Sequence, residues 1–103
     1  MTTKTNLVYV DPELEEIMPD YLENRRKEIP VLRQALKEQT FQPIEFIGHK
    51  MRGTGPGYGL QELGTLGGIL ETAAQKKDPK TIETAVTALQ NYLDCLEIKY
   101  NKD

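Results

Sequence analysis

One cysteine, one histidine and no long apolar run leave this 103-residue chain few chemistries to choose from. Cys95 has no second thiol to pair with, so an internal disulfide is excluded. A lone thiol in a helical pattern reads as a small packed side chain in a reducing compartment. The N-terminus, Met1 to Asn6, is polar, and nothing approaches the roughly 18 consecutive apolar residues of a membrane span or a secretory h-region. A cytoplasmic protein with no membrane attachment is expected. Basic excess is lacking too: the net charge is −3 and the pI about 5.2, so no broad cationic face exists for a phosphate backbone, and nucleic acid is not an expected partner. The one basic run, Arg25, Arg26 and Lys27, is followed at once by Glu28 and reads as a solvated helix face. With 38% hydrophobic residues, the chain can build one core and has no room for a second, so residues 1–103 form a single domain.

Strand signals are scarce. Leu7-Val8-Tyr9-Val10 is the only β-like run, Asp11-Pro12 cuts it off, and residues 1–10 are expected to be a loosely ordered N-terminal segment. The rest carries a helical period. Asp11-Pro12 is a start signal, and Leu14, Ile17 and Met18 supply an apolar stripe for a short first helix that Pro19 punctuates. From Asp20 to about Gln39 a second helix is expected, with Pro30 inside it as a kink or break. A third begins near Phe41 with Thr40 as its cap, runs through His49 and ends in the glycine-rich stretch Gly53 to Gly59. The fourth carries Leu60, Leu63, Leu66, Gly67, Leu70 and Ala74 on its inner face. Asp78-Pro79 opens the last, where Ile82, Val86, Leu89, Leu93, Leu96 and Tyr100 recur at spacings of four and three. The fold expected is all-α: an antiparallel four-helix bundle, up-down-up-down, with a short additional N-terminal helix.

His49 is the chain's one imidazole, set in Gly48-His49-Lys50-Met51-Arg52-Gly53-Thr54-Gly55. At about 100° per residue from Ile44, the residues Ile47, Gly48, Met51 and Gly55 fall within roughly 60° of one direction, the core side, whereas His49 falls roughly 140° away. A lone histidine is otherwise most simply a half-buried group with one hydrogen bond; the wheel turns this one outward. Gly53 at i+4 is a position where a side chain would crowd the ring, although it also serves simply to begin the helix terminus. Lys50 and Arg52 flank the ring with positive charge, and Arg52 at i+3 is within reach of a phosphoryl group on it. Phe46 lies roughly 160° from Ile44. It bounds the His49 surface with Gln42 and Glu45, and two readings of it stay open: a partner contact, or lateral packing on a neighbouring helix. Tyr58 reads as a turn-anchoring core residue.

Elimination narrows what an exposed histidine does. A metal site would need a second histidine or cysteine, or carboxylates at ligand spacing, and Glu45 and Glu62 have none. Acyl transfer would need a nucleophile with an orienting acid. The run Gly53 to Gly59 fits neither dinucleotide nor P-loop spacing. Covalent phosphorylation remains: an imidazole side chain titrates at about 6.5 when unperturbed, so a ring nitrogen is free to attack at neutral pH without a dedicated base.

The string His49-Lys50-Met51-Arg52-Gly53-Thr54-Gly55, followed by Tyr58-Gly59-Leu60, Leu63, Gly67, Leu70-Glu71 and Ala73-Ala74, resembles the histidine-containing phosphotransfer (HPt) domains of bacterial multistep phosphorelays. Their pattern runs roughly H-x-[LM]-K-G-[ST]-[SAG], then a helix of the form L-x-x-[IL]-G-x-x-L-E-x-A. The resemblance implies that His49 carries a phosphoryl group on its outer ring nitrogen, exchanging it with the aspartate of receiver domains in response regulators or hybrid histidine kinases. Gly53 would give the receiver room to dock, with Phe46, Gln42 and Glu45 around it. Arg52, helped by Lys50, would assist the phosphate where the family usually has a lysine. Pro56 replaces a glycine or small residue and ends the third helix. Magnesium would belong to the receiver, leaving this chain a monomeric carrier with no cofactor of its own and not an enzyme. The alternative is a binding module of the same fold that docks a receiver or kinase without carrying phosphate. A small metal-dependent or hydrolytic enzyme is the third class, disfavoured by the missing motifs.

Overall fold

The computed structural model describes residues 6–101; of the N-terminal segment expected to be loose, residues 1–5 lie outside the described residues. The chain is a four-helix bundle: α1 (Met18–Lys37), α2 (Phe41–Thr54), α3 (Gln61–Gln75) and α4 (Pro79–Asp94). Packing of α1 on α2, α2 on α3, α3 on α4 and α4 on α1 closes the ring. Its axis is filled by side chains with no solvent exposure, among them Leu32, Ile44, Met51, Leu63, Leu70 and Leu89. Among the described residues no helix is long and apolar enough to cross a membrane.

Both ends of the chain differ from the sequence reading. Asn6–Val10 is a strand, β1, and pairs in parallel with β2, Leu96–Tyr100, in the register Asn6↔Leu96 to Val10↔Tyr100. The last helix therefore stops at Asp94, and Leu96 and Tyr100 are strand residues. Their spacing of four satisfies a helix, but Leu96-Glu97-Ile98-Lys99-Tyr100 also alternates strictly, and the presence of β1 alongside decides for the period of two. Val8, Val10, Ile98 and Tyr100 pack onto the core, whereas Leu7, Tyr9, Glu97 and Lys99 face solvent.

The additional N-terminal helix is a single 3₁₀ turn, Pro12–Leu14, whose Glu13 N–H donates to the Asp11 carboxylate at 2.9 Å. Pro19 opens α1 instead of ending a preceding helix, because a proline in the first turn has no hydrogen bond to lose. Pro30 lies inside α1 without ending it, held by buried Ile29 and Leu32 on the adjoining turns. Thr40 precedes α2 but its side chain makes no capping bond. Asp78 does cap α4, accepting from the Thr81 N–H at 3.2 Å and its hydroxyl at 2.7 Å.

α1 and α3 end alike. Gln39 and Lys77 take left-handed backbone (φ 54° and 53°), so that Thr40 N–H reaches Ala35 C=O and Asp78 N–H reaches Ala73 C=O, both at 2.9 Å. These are Schellman closures with a side chain where glycine is usual. Since left-handed backbone costs an L-residue about 1–2 kcal/mol, Gln39→Gly should stabilise the fold by up to about 1 kcal/mol, read as a higher urea midpoint with an unchanged slope.

Tyr92 is buried on α4, and that burial pushes its phenol up to about 12, with Glu62 adding to the effect. Raised above its unfolded value of about 10, the group contributes stability that is complete below pH 10 and lost as pH rises toward 12. Tyr92→Phe should flatten the fall of stability between those two pH values, measured by denaturation at a series of alkaline pH.

The feature that positions the site is a glycine seam between α2 and α3. A Cβ built on Gly67 would lie 2.5 Å from Arg52 N and 2.7 Å from Gly48 O, and one on Gly48 would lie 2.7 Å from Glu71 N. The two backbones are in contact, and residue 49 is brought beside residue 71.

Candidate functional site

His49 stands on the outer side of α2 with its side chain 62% exposed, as the wheel required. Ile44, Ile47, Gly48 and Met51 are buried on the opposite side. The ring has a partner on the next helix. Its Nδ1 lies 2.8 Å from Oε2 of Glu71 on α3, and the other carboxylate oxygen, Oε1, accepts from Arg52 Nε at 2.7 Å. Arg52 Nη2 comes to 3.4 Å from His49 Nδ1.

The Glu71 side chain is largely covered, at 15% exposure. The hydrogen bond with His49 holds its carboxyl below the usual range against the opposing effect of burial, and Arg52 adds to the lowering. Glu71 is therefore ionised at neutral pH, and an ionised carboxylate only accepts hydrogen bonds. Nδ1 is therefore the nitrogen that presents a proton to Glu71, and in the neutral ring the lone pair falls on Nε2, on the side away from Glu71. One nitrogen is anchored; the other is nucleophilic.

The remaining expected residues are placed as follows. Lys50 is drawn away toward α1: its Nζ is 3.6 Å from Glu28 Oε2 and 5.0 Å from the centroid of the Phe46 ring. Only Arg52, of the two flanking cations, meets the imidazole. Phe46 is 61% exposed, so it is not packed laterally into a neighbouring helix. Gln42, Glu45, Phe46, His49 and Glu71 line one open depression, in which Glu45 accepts from Gln75 at 3.1 Å. Gly53 lies inside α2 with nothing within 4 Å of a built Cβ, so a methyl group there would not crowd the ring. The space it leaves is open to solvent.

Two groups escaped the sequence reading. Glu71 entered only through a motif, although its position four residues after Gly67 marks it as sharing the seam face. Arg25 belongs to no solvated face: it is buried, pairs with Glu28 at 2.7 Å and lies 4.6 Å over the Tyr21 ring. Tyr21 in turn stacks on Tyr58 at 3.8 Å and bonds Thr54 at 2.7 Å, which anchors the end of α2 to α1. Tyr58 is thus half-buried as a turn anchor.

Comparison with family models, with curated proteins and with solved structures finds no match for this chain.

Proposed function

We propose that this protein is a phosphoryl carrier of the histidine-phosphotransfer type, working in the cytoplasm as a monomer between receiver domains. The single observation that carries the reading is the His49 ring, 62% exposed and held through Nδ1 at 2.8 Å from the Glu71 carboxylate, which leaves Nε2 as the ring nitrogen for a partner to reach. In the forward step the Nε2 lone pair attacks the phosphorus of a receiver's aspartyl phosphate. The N–P bond forms, the P–O bond to the aspartate breaks, and the aspartate leaves as a carboxylate. The ring takes up positive charge while keeping its Nδ1 proton, and Glu71 opposes that charge at 2.8 Å. Transfer back reverses every bond, so the carrier is returned unchanged. Magnesium is expected in the receiver, which completes the chemistry; this chain is carrier and substrate, not enzyme.

Exposed Phe46, with Gln42 and Glu45 around it and the open position at Gly53, supports docking of a receiver over His49. Incubation of the purified protein with phosphorylated receiver domains should place one acid-labile, alkali-stable phosphate on each chain. Absence of that phosphate with every receiver of the source organism would overturn the reading.

A further inference from the structure

The strand pair has an open edge. In a parallel pair each strand turns the N–H and C=O of every second residue to its partner, and in β1 these are Asn6, Val8 and Val10. Asn6 N–H donates to Cys95 C=O at 2.8 Å, and Val10 C=O accepts from Asn101 N–H at 3.1 Å. The N–H and C=O groups of Leu7 and Tyr9 therefore point the other way, along an edge that carries no strand among the described residues. The side chains of both are exposed, Leu7 at 46% and Tyr9 at 60%. Unpaired backbone groups beside an exposed apolar strip form the template for one more strand.

The ground next to this edge selects the chemistry of that strand. Asn6 and Val8, on the inward side of β1, line a cleft of about 390 Å³ together with Glu62 and Tyr92. Glu62 is the one charged side chain lining it, is exposed, and forms no ion pair among the described residues. Its charge reaches into the cleft, because burial and then Glu62 push the Tyr92 phenol up to about 12. The start of α3 contributes only roughly half a positive charge, so the full charge of Glu62 prevails.

Charge also argues against a second copy of this chain as the occupant. β1 has no basic residue, and residues 11–20 after it carry Asp11, Glu13, Glu15, Glu16 and Asp20 with no lysine or arginine. Pairing β1 with β1 of a second copy would bring two such acidic stretches and two Glu62 carboxylates toward each other. The cation on the sheet, Lys99, lies on the outward side of β2 beside Tyr9, away from the cleft. We propose that the free edge of β1 docks an extended basic segment of another protein. The segment adds as a third strand on the backbone of Leu7 and Tyr9, with apolar side chains over theirs and a lysine or arginine in the Glu62 cleft. The site shares no residue with the depression around His49 and so stands apart from phosphoryl transfer.

A blocked hexapeptide of alternating valine and lysine, titrated into the ¹⁵N-labelled protein, tests this. The amides of Leu7 and Tyr9 should shift and become protected from solvent exchange as they gain hydrogen bonds. Leu7→Pro removes a donor that faces away from β2, so it costs the sheet no ladder bond and should abolish binding. Glu62→Lys, at an exposed position, should weaken binding about tenfold, and a hexapeptide of alternating valine and glutamate should not bind. His49→Gln should bind the lysine peptide as the unaltered protein does. Unchanged affinity in either Leu7→Pro or Glu62→Lys, equal binding of the glutamate peptide, or no protection of Leu7 and Tyr9 up to the solubility limit of the peptide would overturn the proposal. So would a dimer, seen by sedimentation, that Leu7→Pro dissociates, because the edge would then belong to a second copy. None of these measurements involves phosphate, so failure of phosphotransfer leaves them standing.

Discussion

Gly67→Ala should lower the thermal unfolding midpoint by roughly 10 °C, although it replaces a poor helix former by the best one. In an open helix the exchange would gain about 1 kcal/mol. Here the added methyl carbon would stand 2.5 Å from Arg52 N and 2.7 Å from Gly48 O, both backbone atoms that move only if α2 and α3 separate. Forcing a methyl group into such a contact costs about 1–3 kcal/mol and at times more. Because both obstructing atoms are backbone, the cost falls at the upper end, about 3 kcal/mol, and less the gain of about 1 the net loss is about 2 kcal/mol, which corresponds to the stated shift at about 4–8 °C per kcal/mol for a domain of this size. Gly53→Ala is the internal control. With nothing within 4 Å of its Cβ, it should gain about 0.5–1 kcal/mol. Any loss of transfer in that variant then belongs to the docked partner and not to the fold. Equal destabilisation of the two variants would mean that the seam is not a close contact in solution.

The two substitutions also divide what was legible in the sequence from what was not. The direction of every α2 side chain follows from a local period, so the burial of Ile44, Ile47, Gly48 and Met51 and the exposure of His49 could be read without a structure. The use of Gly48 and Gly67 could not, because a glycine on an apolar face shows its purpose only when a second backbone is placed against it. Glu71 was obscure for the same reason: its partner is on another helix, and only the seam brings the two within 2.8 Å. The strand pair depends on contact between residues about ninety positions apart, which no window of the sequence contains. Gln39 and Lys77 adopt a conformation that their residue types disfavour, with the helix-closing hydrogen bonds holding them there. Pro30 signalled a break that the burial of Ile29 and Leu32 overrode.

His49→Gln should remove the acid-labile phosphate completely while leaving stability within about 0.5 kcal/mol, because the ring is 62% exposed and supports no core contact. Glutamine keeps the polarity and much of the length of histidine, and its amide can still bond Glu71. It has no basic nitrogen, however, and so no lone pair able to take phosphorus from an aspartyl phosphate. The seam, the Arg52–Glu71 pair and the exposed Phe46 all persist, so a receiver should dock as before. Binding and carriage are thereby separated in one variant. Retained docking with lost phosphate and lost signalling places the function in the N–P bond. Retained docking with undiminished signalling would instead assign it to the surface around His49, and the chain would be a binding module whose histidine is a contact and not a carrier.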